Sequence, residues 1–296
     1  MSKWTQLLWK ISITICLLKQ IPQIVSETSC DEDRYGYLCS LRDSCGKTHT
    51  ESDTENRTIR NIFNGHDVNE GEFPSFVQLK AVDVSEVYCS GVIVSEYHVV
   101  TAYHCVRNSK NEQIDPSQVT VVAGTIKNIY VETAGTNFKV AKICRHPTMN
   151  DTTDIALLKL EDKLSFNNSV QPACWPMSGD KIPIAGPNSV CYQVGAGNYE
   201  PSPGARKVKP LIQKMKVQRF PYKGGFGKGF LILGRTDSSV CPGDSGGPTL
   251  CYDKELKHWT VIAIASRGNC GPSNLVYTIP LYSYVAKFTK DECPPG

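Results

Sequence analysis

Eight residues, Cys241-Pro242-Gly243-Asp244-Ser245-Gly246-Gly247-Pro248, constrain this chain more than any other stretch. A serine stands there between an aspartate and a pair of glycines, with a third glycine just upstream. Glycine has no Cβ, so the backbone can turn tightly and come close to a ligand. Such a turn can hold a hydroxyl at its tip and aim two main-chain N–H groups at one point beside it. A serine nucleophile that works through a tetrahedral oxyanion needs that arrangement.

Serine is a weak nucleophile without a base. Thr101-Ala102-Tyr103-His104-Cys105 follows an apolar run at 91–100, and Asp154-Ile155-Ala156-Leu157-Leu158-Lys159-Leu160 comes downstream. The order His, Asp, Ser is one of three known for this kind of triad. Taken singly, each segment has a plainer reading. Histidines are more often structural, an aspartate before an apolar run can cap a helix or strand, and glycine-rich turns are common. Their joint order, with Cys89 and Cys105 near the histidine, favours the chemical reading. Together the three segments resemble the chymotrypsin-like (trypsin-fold) serine proteases, over about residues 62–289.

The resemblance implies an all-β fold: two antiparallel six-stranded β-barrels, the active site in the cleft between them, and a short C-terminal helix. The residues support part of this directly. Short β-rich runs bounded by Gly, Pro, Asn and Asp read as strands at 76–81, 88–94, 98–101, 119–123 and 129–132. The pattern repeats at 189–194, 214–217, 248–252, 259–265 and 275–279. Many short strands without a helical period fit barrels or a sandwich, and the pattern alone leaves both open. Over 281–290, Leu281, Tyr284, Val285 and Phe288 would share one helical face.

By the same resemblance, His104 is general base and then general acid, and an imidazole, which titrates close to neutrality, suits both roles. Asp154 fixes the imidazole tautomer, Ser245 attacks the carbonyl carbon, and the Gly243 and Ser245 amides hold the oxyanion. Ser266 matches the family serine that bonds the catalytic aspartate. Arg267 stands where the family has tryptophan, and Gly268 where a glycine lets an extended substrate pair alongside. Ser239 and Val240 occupy the base of the primary pocket, and Leu275 a second floor position that is usually glycine. Trypsin-like enzymes place an aspartate at the base; Asp237 lies two residues too early. A buried substrate cation without a partner costs several kcal/mol, so cleavage after small or medium apolar residues is expected.

Residues 1–26 read as a signal peptide, with Lys3 and Lys10, a short apolar stretch at 11–18 and Ser26 as a small cleavage residue. Eight apolar-leaning residues do not span the roughly 30 Å of a bilayer core, so no stable membrane anchor is expected. The formal charge of +3 includes three lysines in that segment; without it 29 basic and 29 acidic residues balance, which points away from nucleic acid. Residues 27–61, acidic and carrying Cys30, Cys39 and Cys45, are too few to bury a core. They resemble a propeptide that stays tethered by a disulfide, ahead of a protease domain at 62–296. At the junction, Arg60-Asn61-Ile62, the family pattern frees an apolar amine, here Ile62, to pair with Asp244. Cleavage after Arg60 and cleavage after Asn61 both remain open.

Twelve of the thirteen cysteines lie beyond residue 26, an even number that favours disulfides. The resemblance implies Cys89–Cys105, Cys191–Cys251 and Cys241–Cys270, with Cys174 tethered to Cys30, Cys39 or Cys45. Paired Cys or His spacings that would hold zinc are lacking, and the 125–132 loop carries a single acid, Glu132, too few for calcium. No metal or cofactor is expected. Asn56, Asn150 and Asn167 sit in glycosylation sequons. Residues 201–236 hold nine basic residues and no acid, and read as a solvated loop or as an anion-binding surface. The expected protein is a secreted zymogen-type serine endopeptidase, meeting a polypeptide substrate, an activating protease and a protein inhibitor. The alternative is a catalytically silent relative that acts as a binding or cofactor protein.

Overall fold

The computed structural model describes residues 36–48, 62, 65–81, 87–145, 153–176, 190–200, 207–219, 231–234, 238–254, 256–271 and 275–281. All lie in the second of the chain's two units, Asp31–Gly296. The expected C-terminal helix lies outside them except for Leu281.

The first half builds β1 (His66–Asp67), β2 (Phe76–Ala81), β3 (Val87–Ile93), β4 (His98–Thr101), β5 (Val119–Ala123), β6 (Thr136–Arg145) and β7 (Ala156–Leu160). The second half builds β8 (Val190–Gly195), β9 (Gln213–Lys216), β10 (Gln218–Arg219), β11 (Leu231–Gly234), β12 (Pro248–Asp253), β13 (His258–Gly268) and β14 (Leu275–Pro280). Strands β2-β3-β4-β7-β6-β5 close into a barrel in that order. The other sheet runs β1-β9-β8-β12-β13-β14-β11-β10 and stays open among the described residues. Its outermost members, β1 and β10, have two residues each, which leaves six longer strands. The described residues are thus all-β, with a closed six-stranded barrel and a second sheet of six longer strands, as the family resemblance implies.

The barrel strands bury β-branched and leucine side chains. Val77, Leu79, Val92, Val99, Val100, Val121 and Leu158 are all buried, each contributing about 1.5–3 kcal/mol over exposure. Closure rests on β5 pairing back to β2, with Leu79 opposite Val121. The second sheet buries Val194, Met215, Leu250, Ile262 and Ile264. Gln78 on β2, at 2% exposure, donates to Lys127 O (2.8 Å) and accepts from Ile129 N (3.0 Å). A buried amide is tolerable because both of its ends are occupied.

One predicted strand is absent. Residues 129–132 do not pair but form a turn around Asn128. Its Oδ1 accepts from Tyr130 N (3.0 Å), and its carbonyl from Val131 N (2.9 Å) and Glu132 N (3.2 Å). An asparagine that bonds its own following backbone outcompetes a sheet ladder. The strand lies further on, as β6, where lysines at 139 and 142 interrupt the apolar pattern.

The 36–48 segment is fastened to the back of the second sheet. Cys45 is joined to Cys174, Gly46 N donates to Pro172 O (2.7 Å), and Trp259 N donates to Gly46 O (2.9 Å). Leu38 is buried. The tether left open among three cysteines is therefore Cys45. Cys39 and Cys144 are also disulfide-bonded.

Candidate active site

Antiparallel pairing brings the histidine and the aspartate together. In the β4–β7 ladder Thr101 stands opposite Ala156. His104, three residues past Thr101 in a 3-10 turn (Tyr103–Val106), and Asp154, two residues before Ala156, therefore leave the same end of the pair. His104 N donates to Asp154 Oδ1 (2.9 Å), and the ring Nδ1 lies 2.7 Å from Oδ2. Ser266 donates its hydroxyl to the same Oδ2 (2.6 Å). Ser266 falls at the bulge of β13 against β14, between Ala265 and Arg267. A bulge re-aims a side chain that strict alternation would point elsewhere.

Burial pushes the Asp154 carboxyl up. The His104 ring, by hydrogen bond and charge, with Ser266 and the His104 amide, outweighs it and holds the group at about 2. An ionised carboxylate only accepts, so Nδ1 carries the proton and Nε2 is left as the acceptor. The histidine side chain keeps 32% exposure, so Nε2 can be reached.

The serine turn is held from both sheets. Ser90 on β3 donates its N–H to Ser245 O (2.8 Å) and its hydroxyl to Gly243 O (3.0 Å). The Thr101 hydroxyl donates to Ser90 O (2.8 Å), so the strand leading to His104 braces the residue that braces Ser245. From β13, Ala265 O accepts from Gly246 N (2.7 Å). Gly246 has φ +78°, and a Cβ there would lie 2.2 Å from Thr101 Oγ1, so no other residue fits. Cys105 Sγ, one residue from the histidine, lies 3.7 Å from Ser245 O. The amides of Gly243 and Ser245 donate to no acceptor among the described residues.

Asp244 is fully buried, with Oδ1 accepting from Gly197 N (2.7 Å) and Oδ2 from Cys241 N (2.8 Å). Burial raises its carboxyl to about 7 against the lowering pull of those two amides. Ile62 is 2% exposed, in an apolar cluster with Met215, Val217, Leu233 and Val240. Ser239 and Val240 are both buried. A Cβ placed on Gly268 would lie 2.2 Å from Val240 Cγ2, so the valine methyl fills the space facing that glycine. Leu275 begins β14; its side chain and Asp237 lie outside the described residues.

The three remaining disulfides expected near the site are present: Cys89–Cys105, Cys191–Cys251 and Cys241–Cys270. Two groups of Cys and His side chains, Cys45/Cys174/His258 and Cys89/His104/Cys105, come close enough to ligate an ion. Their thiols are spent in disulfides. Asn167 is exposed, while Asn56 and Asn150 lie outside the described residues. Within the basic 201–236 stretch, Lys207 pairs with Glu200, Lys209 lies over the Tyr199 ring and Lys214 pairs with buried Glu72.

Sequence reasoning missed Ser90, Thr101 and Gly197. Ser90 and Thr101 left one faint signal, hydroxyls inside otherwise apolar strands.

The trypsin family model matches residues 62–290. An ovochymase from Halocynthia roretzi is 30% identical over 248 residues, which cover 79% of this chain and 15% of that protein. The chain therefore spans a small part of that relative's length. No helix among the described residues is long and apolar enough to cross a membrane. With the family model covering both sheets and the site between them, the chain belongs to the trypsin family.

Proposed function

We propose that this chain is a secreted, zymogen-type serine endopeptidase with His104, Asp154 and Ser245 as its triad. The observation that carries the reading is the Asp154 carboxylate, shared at 2.7 and 2.6 Å by the His104 ring and the Ser266 hydroxyl beside the Ser245 turn. Ser245 Oγ attacks the scissile carbonyl carbon as His104 Nε2 takes its proton. The Gly243 and Ser245 amides receive the oxyanion. Collapse of the intermediate passes the proton from Nε2 to the leaving amine and leaves an acyl-serine ester. Water, deprotonated by the same nitrogen, then hydrolyses that ester. Asp154 stays ionised throughout and stabilises the imidazolium.

Activation by another protease, after Arg60 or Asn61, frees an amine at or next to Ile62 to pair with Asp244. Among the described residues, two amides are the partners of that buried carboxyl in the intact chain. Such a pair would hold the Gly243 and Ser245 amides in place. A signal peptide at 1–26, glycans on Asn56, Asn150 and Asn167, and control by a protein inhibitor complete the proposal. A fluorophosphonate probe tests the chemistry: the processed chain labels at Ser245, and Ser245→Ala does not.

Specificity follows from Val240. With its methyl against Gly268, the primary pocket admits small or medium apolar side chains. Val240→Gly should move the preference from alanine toward phenylalanine by roughly ten-fold in kcat/KM, the worth of a few methylenes in a pocket. Peptides varied only at that position read it, and a strong preference for Arg or Lys in the parent would end the idea. The same contact favours a second reading, a silent relative used as a binding protein, because it narrows the pocket. Absence of fluorophosphonate labelling after processing would establish that reading.

A further inference from the structure

We propose that Ser90 is a positioning residue for the oxyanion donors: its hydroxyl holds the Gly243 carbonyl and so aims the Gly243 and Ser245 amides. The inference rests on the protease reading above and adds a residue to its machinery.

Four consecutive peptide groups make the serine turn. A trans peptide is planar and points its C=O and N–H in opposite directions. A carbonyl fixed at the back therefore aims the amide of the same plane to the front. Pro242 O accepts from Asn198 N (2.9 Å) and Asp244 O from Gly247 N (2.9 Å). The other ends of those two planes are the Gly243 and Ser245 amides, which donate to no acceptor among the described residues. In the last plane, Ser245 O accepts from Ser90 N (2.8 Å) and Gly246 N donates to Ala265 O (2.7 Å). Main-chain groups hold these three planes, and a side-chain substitution leaves such groups in place.

The remaining plane, Gly243–Asp244, lies between the two donors and sets the angle between them. Its N–H donates to Cys241 O (3.0 Å), and its carbonyl accepts from Ser90 Oγ (3.0 Å). Among the described residues, this is the carbonyl of the turn that relies on a side-chain donor. The plane hangs from Gly243 at φ +104°, and glycine is freer to rotate than any other residue. Ser90 is fully buried, and its own carbonyl accepts from the Thr101 hydroxyl (2.8 Å). The donor is therefore itself fixed, and solvent does not compete with it. Donors that are set before charge develops need no reorganisation at the moment of reaction. Ser90 stands on β3 of the closed barrel, so the first half of the chain sets the aim of donors carried by the second.

The test uses processed full-length protein. Ser90→Ala removes the hydroxyl and keeps the N–H on Ser245 O, while Ser90→Thr keeps both. Deleting a whole oxyanion donor costs about 10²–10³ in kcat; misaiming donors costs less, so Ser90→Ala should lower kcat by roughly thirty-fold with KM unchanged. A peptide aldehyde, whose adduct with Ser245 carries the oxyanion, should lose affinity by a similar factor. The matching peptide alcohol, which forms no adduct, should bind as before. Ser90→Thr should restore most of kcat. A merely structural role would lower the unfolding midpoint and leave kcat and the aldehyde-to-alcohol affinity ratio of the folded enzyme unchanged, and that result would overturn the proposal. A loss in Ser90→Thr equal to that in Ser90→Ala would overturn it as well. If Ser90→Ala does not fold, Ser90→Gly takes its place under the same criteria. Fluorophosphonate labelling of the parent at Ser245 reports the protease reading separately. Should the parent not label, amide hydrogen exchange decides. Faster exchange at the Asp244 N–H in Ser90→Ala than in the parent supports the proposal, and an equal rate defeats it.

Discussion

Replacing Asp154 by asparagine should lower kcat by about 10⁴, the loss known for a triad whose histidine is held in the wrong tautomer. The two carboxylate oxygens now accept from the His104 amide, the His104 ring and the Ser266 hydroxyl. An asparagine offers one acceptor and one NH₂. If the NH₂ meets Nδ1, that nitrogen becomes the acceptor and the proton moves to Nε2. Nothing then remains to take the proton of Ser245. The fold should survive, since asparagine nearly matches aspartate in volume and Ser266 keeps a partner. Turnover of an alanine-directed peptide, together with unchanged far-UV circular dichroism, checks this. A loss of less than ten-fold would mean that the imidazole is not oriented by Asp154.

The second large effect concerns the intact chain and pH. Asp244 has an ordinary value of 3.8 and stands at about 7 in the folded protein. Below pH 3.8 folded and unfolded chains both hold the proton. Between 3.8 and 7 the unfolded chain has released it and the folded chain has not, so stability falls as pH rises. The fall is complete above 7 and amounts to something on the order of 4 kcal/mol. Asp154 works in the other direction. Its folded value of about 2 lies below 3.8, so its contribution is present above pH 3.8 and is lost as pH drops through 2. For these two groups the intact chain is most stable near pH 4. Processing should abolish the Asp244 slope, because a freed amine beside the carboxylate favours its charged form. Urea unfolding of intact and processed protein between pH 4 and 7 measures both. Asp244→Asn in the intact chain should also remove the slope. An equal slope in all three would show that Asp244 does not govern it.

Much of the strand set was legible because short β-branched runs and turn residues punctuate one another. The ladders containing 76–81, 98–101 and 119–123 begin and end where those runs do. Sequence periodicity carries no information about which strands pair over long separations, so closure through β5 and β2 had to be seen. The 129–132 run failed for a local reason, the asparagine before it. At the site, residue types and order identified His104, Asp154 and Ser245 as candidates. Their mutual support was not legible: the Ser90 clamp depends on β3 passing beneath a turn 155 residues downstream of it. The bulge at Ser266 and the Val240 methyl against Gly268 are likewise matters of register and packing rather than of composition. The tether was narrowed to three cysteines and no further, because crowded cysteines are interchangeable until the backbone is placed.

The bridge between Cys45 and Cys174 spans 129 residues of sequence. A cut at the Arg60–Ile62 junction therefore divides the polypeptide without dividing the particle. On a gel run without reductant, precursor and product would migrate together, and only thiol treatment would release the lighter fragment. Each activated copy would carry one such fragment for its lifetime, in fixed stoichiometry with the catalytic body. An antibody against residues 36–48 would then count total protein, and the newly exposed amino terminus alone would distinguish what has been switched on.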